Sequence, residues 1–208
     1  MKRVSVLMVV AVGLMLMQFG CGSKDVSRTG FLTDYSRLEK ESDSSLRYMN
    51  KGALDNYSSF IVDRVEVHFH KGAKAIEEQT KGKLTQQQID DLTNYMHSKI
   101  VEAIKGSGNT VAYQPAAGVA RIRVALTDFT KASGVSYVPQ AKLLGAGVGG
   151  ASMETEVVDS MTGEQIGAVV ETQTGSRIPF SQLGKWDAAK AVMNDWAKRL
   201  QKRLEEGG

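Results

Sequence analysis

The chain has 208 residues, of which 24% are charged and 42% hydrophobic, and its 26 Lys and Arg against 23 Asp and Glu give a formal net charge of +3. That composition excludes a disordered chain, and the absence of any basic block argues against nucleic-acid binding. Cys21 is the only cysteine, which excludes an internal disulfide and leaves packing to supply the stability of the core.

The first element is a leader. Lys2 and Arg3 precede an uncharged run from Val4 to Met17, and Gln18-Phe19-Gly20 then lead into Cys21. This is the order of a secretory signal peptide, and the run is shorter than the roughly 20 apolar residues of a spanning helix. No Ala-x-Ala-like site for release of a soluble product is present. Gly20 before Cys21 instead resembles the lipobox of bacterial lipoproteins, although Gln18 and Phe19 stand where that motif usually has Leu and a small residue. The resemblance implies removal of residues 1–20 and acylation of Cys21, palmitate being one such acyl group. The membrane is then a partner, held through lipid on Cys21. Gly22 stands where retention in the inner membrane usually shows Asp, so the expected address is the inner leaflet of the outer membrane of a Gram-negative cell, facing the periplasm. Loss of residues 1–20 from the 208 leaves 188 and takes Lys2 and Arg3, so the net charge falls from +3 to +1.

Residues 21–56 are polar, with scattered single hydrophobes, and are expected to form a lipidated tether that orders where Phe31, Leu32, Tyr35 and Leu38 dock on a surface. Residues 57–208 are expected to form a single α/β domain. Ser59 to His70 alternates as a strand, with Ile61, Val65, Val67 and Phe69 on one face and Arg64, Glu66, His68 and His70 on the other. A charged connection leads to Thr85, where Thr85-x-x-Gln88 has the form of a capping box. Ile89, Leu92, Met96, Ile100 and Ala103/Ile104 follow as a helical stripe, ended by Gly106 and Gly108.

Asn109 to Tyr113 fits a short strand. Val119 to Phe129 is a clear one, with Ala120, Ile122, Val124 and Leu126 on one face and Arg121 and Arg123 on the other. Gly145 to Gly150 is a Gly-rich connection into a strand from Ser152 to Asp159. Met161-Thr162-Gly163-Glu164 reads as a hairpin turn into a strand from Gln165 to Thr174. Trp186 to Leu204 is the terminal helix. The order predicts an α+β fold, a two-layer arrangement with a mixed sheet of about four to five strands and two main helices packed on one face.

Three constellations bear on chemistry. Glu66, His68 and His70 share a strand face at two-residue spacing and are metal-ligand types, but no third element brings another ligand, and His97 lies on the polar side of its helix with no evident route to them. Arg121 and Arg123 face away from the core and have Glu154, Glu156 and Glu171 on nearby strands, which predicts a solvated, charge-balanced sheet face. The segment Leu144 to Ser152 lacks the Gly-Lys-Ser/Thr ending of a phosphate loop and enters a strand, so a flexible connection facing a partner or the membrane is expected. There is no Gly-x-Ser-x-Gly elbow, no thiol once Cys21 is acylated, and no carboxylate pair in an apolar context. No catalytic residue and no cofactor is expected.

Several segments together carry a family resemblance. They are Gly30 to Leu38 (GFLTDYSRL), Tyr57 to Val67 (YSSFIVDRVEV), Ala125 to Asp128, Ala151 to Glu154, Asp159 to Glu164 and Trp186 to Arg199. In combination they are similar to the DUF3313 family of bacterial lipoproteins and cover nearly all of the chain after Cys21. The family's name assigns no function, so the resemblance supplies no active-site residues. The element order is also similar, at the level of fold, to periplasmic lipoprotein modules of the penicillin-binding-protein activator and curli-secretion types. The leading expectation is a non-enzymatic, lipid-anchored accessory domain that binds an envelope protein. The alternative is a metal-binding protein or metal-dependent hydrolase built on Glu66, His68 and His70.

Overall fold

The computed structural model describes residues 26–131, 149–175 and 186–206. Its eight strands are β1 (Glu39–Ser42), β2 (Ser45–Met49), β3 (Ser59–Val62), β4 (Glu66–Val67), β5 (Thr110–Val111), β6 (Val119–Thr130), β7 (Gly150–Asp159) and β8 (Gln165–Thr174). The helices are α1 (Lys51–Leu54), α2 (Lys74–Thr80), α3 (Gln86–Gly106) and α4 (Asp187–Glu205). All strands join one sheet in the order β1-β2-β8-β7-β6-β3-β5, with β4 also pairing β6.

The α+β class agrees with the sequence, but the sheet has eight strands where four to five were expected. Two of the added strands come from the stretch expected to be a tether. β1 and β2 form an antiparallel hairpin that pairs with β8 through β2, so the sheet extends well upstream of residue 57. The sheet is mixed, as expected. β3 runs parallel to both β5 and β6 across the α3 crossover, and β6, β7, β8, β2 and β1 are joined antiparallel.

One long helix forms where the pattern places it. The Thr85 hydroxyl accepts from the Gln88 N–H at 3.3 Å and the Gln88 side chain accepts from the Thr85 N–H at 3.1 Å, which satisfies two otherwise orphaned donors of the first turn. The stripe Ile89, Leu92, Met96, Ile100, Ala103 and Ile104 is buried in full. It packs with Val192, Met193 and Trp196 of α4 against Ala120, Ile122, Val124 and Leu126 of β6. Tyr95 donates to Asn194 at 2.9 Å, tying α3 to α4.

Two register shifts decide which residues reach this core. β3 pairs with β6 as Val62 to Ile122, whereas β4 pairs as Glu66 to Ala125, so one extra residue lies on the β3–β4 side. The strand expected over Ser59 to His70 is therefore broken, and Ile61 lies on the face opposite Val65, Val67 and Phe69. A second shift, between Leu126 and Asp128, turns Phe129 to the helix side. There Phe129 meets Phe69 and Trp186 edge-on, at ring-centroid distances of 5.4 and 5.6 Å.

The β7–β8 turn forms as expected. Asp159 accepts through Oδ1 from the N–H groups of Met161 and Thr162 at 2.9 and 2.7 Å, and Gly163 supplies the positive φ of 74°. The Thr162 N–H, followed by the Tyr57 hydroxyl, holds Asp159 below its ordinary carboxyl pKa. Tyr57 donates to Asp159 Oδ2 at 2.8 Å, and its burial, reinforced by this bond, pushes its own pKa up to about 12. The folded-state value lies above the unfolded one of about 10, so this contribution to stability is complete below pH ~10 and is lost as the pH rises through about 12. Tyr57→Phe is expected to flatten that part of the alkaline stability profile. Urea midpoints measured from pH 8 to 12 check it, and an unchanged profile contradicts the assignment.

Candidate functional site: the covered face of the sheet

Residues 26–38 lie across the sheet face opposite α3 and α4. Phe31 and Leu32 are buried there against Ala125, Ala168 and Val170, with Val26, Tyr35, Leu38 and Leu46 partly buried around them. The segment expected to dock on a surface thus docks on the protein's own sheet.

Beneath it lie Glu154 and Glu156, two residues apart on β7 and both 0% exposed. Buried carboxylates are tolerated only when hydrogen bonds replace their lost hydration. The docked segment supplies most of those bonds. Glu154 accepts from the Thr29 N–H at 2.6 Å and from the Tyr35 hydroxyl. Glu156 accepts from the Thr33 N–H at 2.9 Å, the Thr33 hydroxyl at 2.8 Å, Gln165 Nε2 at 3.0 Å and the Arg123 guanidinium.

Tyr35 is the hub of this arrangement. Its hydroxyl donates to Glu154 while accepting from the N–H groups of Gly30 and Leu32 at 2.9 and 3.2 Å. Burial, then the neighbouring Glu154 carboxylate, push its pKa above the ordinary phenol value. Gly30 has φ of +89°, so a side chain at this bend would be strained. Arg37 fixes the far end. It donates to Tyr48 at 2.8 Å and to the Gln165 carbonyl at 3.2 Å, pairs with Asp34 at 3.1 Å, and its guanidinium stacks 4.3 Å from the Tyr48 ring.

This corrects the expectation of a solvated sheet face. Arg123 and Glu156 pair beneath the segment, and Arg123 also lies 4.9 Å from the Phe31 ring. Arg121 pairs at 2.7 Å with Asp63, at the register shift. Glu171 occupies the opposite face, where Arg199 of α4 donates to it at 2.7 Å. It also corrects the expectation that no carboxylate pair sits in an apolar context. The alternating pattern of β7 carried the signal, since Glu154 and Glu156 share a face with Ser152 and Val158. Only the origin of the cover was missing.

The metal candidates take up other contacts. His68 Nε2 lies 2.7 Å from Glu66 Oε2, and the ring meets Phe31 edge-on at 5.1 Å. His70 Nδ1 lies 2.9 Å from the Lys71 carbonyl, and its Nε2 is 4.0 Å from Asp128, whose carboxylate caps α2 through the N–H groups of Lys74 and Ala75. Glu66 and His97 both line a groove of about 570 Å³ between β4 and α3. Among the described residues no group of three or more His, Cys, Asp or Glu is placed to hold a metal ion.

Gly150 starts β7, where an added Cβ would stand 2.4 Å from the Gln173 carbonyl. This glycine is required by strand pairing, and residues 145–148 lie outside the described residues, as does Cys21. Among the described residues no helix is long and apolar enough to cross a membrane.

Comparison with solved structures finds a PelC variant dodecamer and a second PelC dodecamer, both from Paraburkholderia phytofirmans. Each is 15% identical, with TM-scores of 0.48 and 0.47, and the match covers 76% of this chain and 96% of that one. A "putative lipoprotein" from Caulobacter crescentus CB15 is 7% identical with a TM-score of 0.33, over 75% of this chain and 92% of its own. No curated protein matches the chain. The profile of DUF3313, described as a protein of unknown function, matches residues 27–200, from the docked segment through most of α4. The chain belongs to the DUF3313 family.

Proposed function

We propose that the protein is a lipid-anchored accessory domain of the cell envelope, held through acylated Cys21 in the inner leaflet of the outer membrane and binding an envelope protein without catalysis of its own. The supporting observation is the clasp formed by residues 29–38. The stretch from Cys21 to Val26 spans at most about 17 Å when fully extended, and a few residues beyond Val26 the backbone is already bonded to buried carboxylates of the sheet. The domain is thereby held close to the membrane surface in a limited set of orientations. Such a constraint suits a protein that presents one face to a neighbour in the same envelope layer.

Detergent-phase partitioning of the wild type against Cys21→Ala tests the anchor. The wild type is expected in the detergent phase and the variant in the aqueous phase, and equal partitioning contradicts the proposal. Crosslinking in intact cells is expected to trap a discrete envelope protein with the wild type, with loss of the product in Cys21→Ala. A domain that stays uncrosslinked under all conditions counts against the binding role.

A further inference from the structure

A cavity of about 80 Å³ lies on the helix side of the sheet. Most of its wall is apolar, with Met96 and Ile100 from α3, Val124 from β6, Met153 from β7 and Leu200 from α4. On the β2–β8 side the lining changes character. Arg47 of β2 and Arg199 and Arg203 of α4 gather there around one lining carboxylate, Glu171.

The pairing around these arginines is incomplete. Glu41 takes Nη1 of Arg47 at 2.6 Å, Glu171 takes Nη2 of Arg199 at 2.7 Å, and Asp195 lies 3.4 Å from Nε of Arg199. Arg203 forms no ion pair among the described residues, and burial followed by the charge of Arg47 lowers its pKa. Two further buried donors find no hydrogen-bond partner among the described residues, Nε of Arg47 and the indole N–H of Trp196, a residue only 4% exposed that also lines the cavity. Both groups can only donate. A ligand complementary to the site must therefore bring acceptors and negative charge at one end and hydrocarbon at the other.

We propose that this cavity binds a medium-chain carboxylate, with its tail between α3, α4 and the sheet and its head on the Arg47–Arg203 side. A carboxylate matches the planar donor fork of a guanidinium. An apolar cavity of about 150 Å³ holds benzene, or about 25 Å³ for each carbon, so this volume encloses about three carbons next to the head, and the rest of a medium-chain tail extends through the open side of the cavity. The site stands independently of the anchor at Cys21.

The test uses the chain from Gly22 onward, which lacks the leader and the acyl acceptor Cys21 and keeps every strand and helix described above. Trp186→Phe leaves Trp196 as the sole tryptophan of the two in the chain. Sodium octanoate is titrated, with octan-1-ol as the uncharged control of the same length. Octanoate is expected to give a saturable change in Trp196 fluorescence and a raised Tm, with octanol at least tenfold weaker. Arg203→Gln is expected to weaken octanoate about tenfold, and Val124→Phe, which fills the cavity, to abolish the response. No saturable response, equal affinity for octanol, or undiminished binding by Arg203→Gln overturns the proposal. If Val124→Phe fails to fold, the comparison of octanoate with octanol on the unfilled cavity still decides the matter.

Discussion

Glu156→Ala is expected to destabilise the fold by about 3–5 kcal/mol, the range for removing one partner of a buried charged network. The loss leaves the Thr33 N–H and hydroxyl, the Gln165 amide and the Arg123 guanidinium without their shared acceptor. It falls on a residue with no exposure to solvent. Urea unfolding of the chain from Gly22 onward measures it. Glu102→Ala, at an exposed position on α3 where Lys99 is the partner, provides the comparison and is expected to stay within about 0.5 kcal/mol of wild type. Equal effects at the two positions would mean that Glu156 is solvated in solution. The same substitution is expected to expose residues 26–38 to limited proteolysis before the sheet itself is cut, because the segment depends on Glu156 for its central bonds.

Phe129→Ala is expected to cost a similar amount, about 3–5 kcal/mol, from lost transfer energy and the cavity left behind. Phe129 is fully buried, and its two edge-on contacts, with Phe69 and Trp186, connect the segment after β4 and the start of α4 to the sheet. Phe129→Leu keeps much of the volume but loses the ring geometry, and is expected to cost clearly less. Thermal unfolding of both variants measures the difference, and a loss below about 1 kcal/mol for the alanine would show that the shifted register of β6 does not hold.

The features legible in the sequence were those whose signal is local. The α3 stripe and its capping box lie within a few residues of one another, and the 3.6-residue period identifies every buried position on that helix. The β7–β8 turn is legible for the same reason, since Asp159 and Gly163 act on their own neighbours. The register shifts were not legible, because a single extra residue is visible only against the partner strand. This is why Ile61 was placed on the wrong face. β1 carries no sequence signal because Glu39 to Ser42 is exposed throughout, and β2 buries only Ser45 in full. The covered carboxylates were hidden by distance along the chain. Thr29 and Glu154 are 125 positions apart, and alternating glutamates on a strand look the same whether water or another segment lies over them. The docking character of Phe31, Leu32 and Tyr35 was readable, but the surface that receives them was not.

The attachment of the clasp to β7 has a mechanical consequence. β7 lies between β8 and β6, in the middle of the strand order, and its hydrogen bonds run along both flanks. Were Cys21 membrane-bound as proposed, tension from it would enter at β7, which is paired along both flanks, through Thr29 and Thr33, and not at a terminal edge that could peel away one strand at a time. Under that proposal, strain would extract residues 26–38 first and leave the layer of α3, α4 and the central strands intact, with the clasp as a sacrificial link between the proposed anchor and the domain.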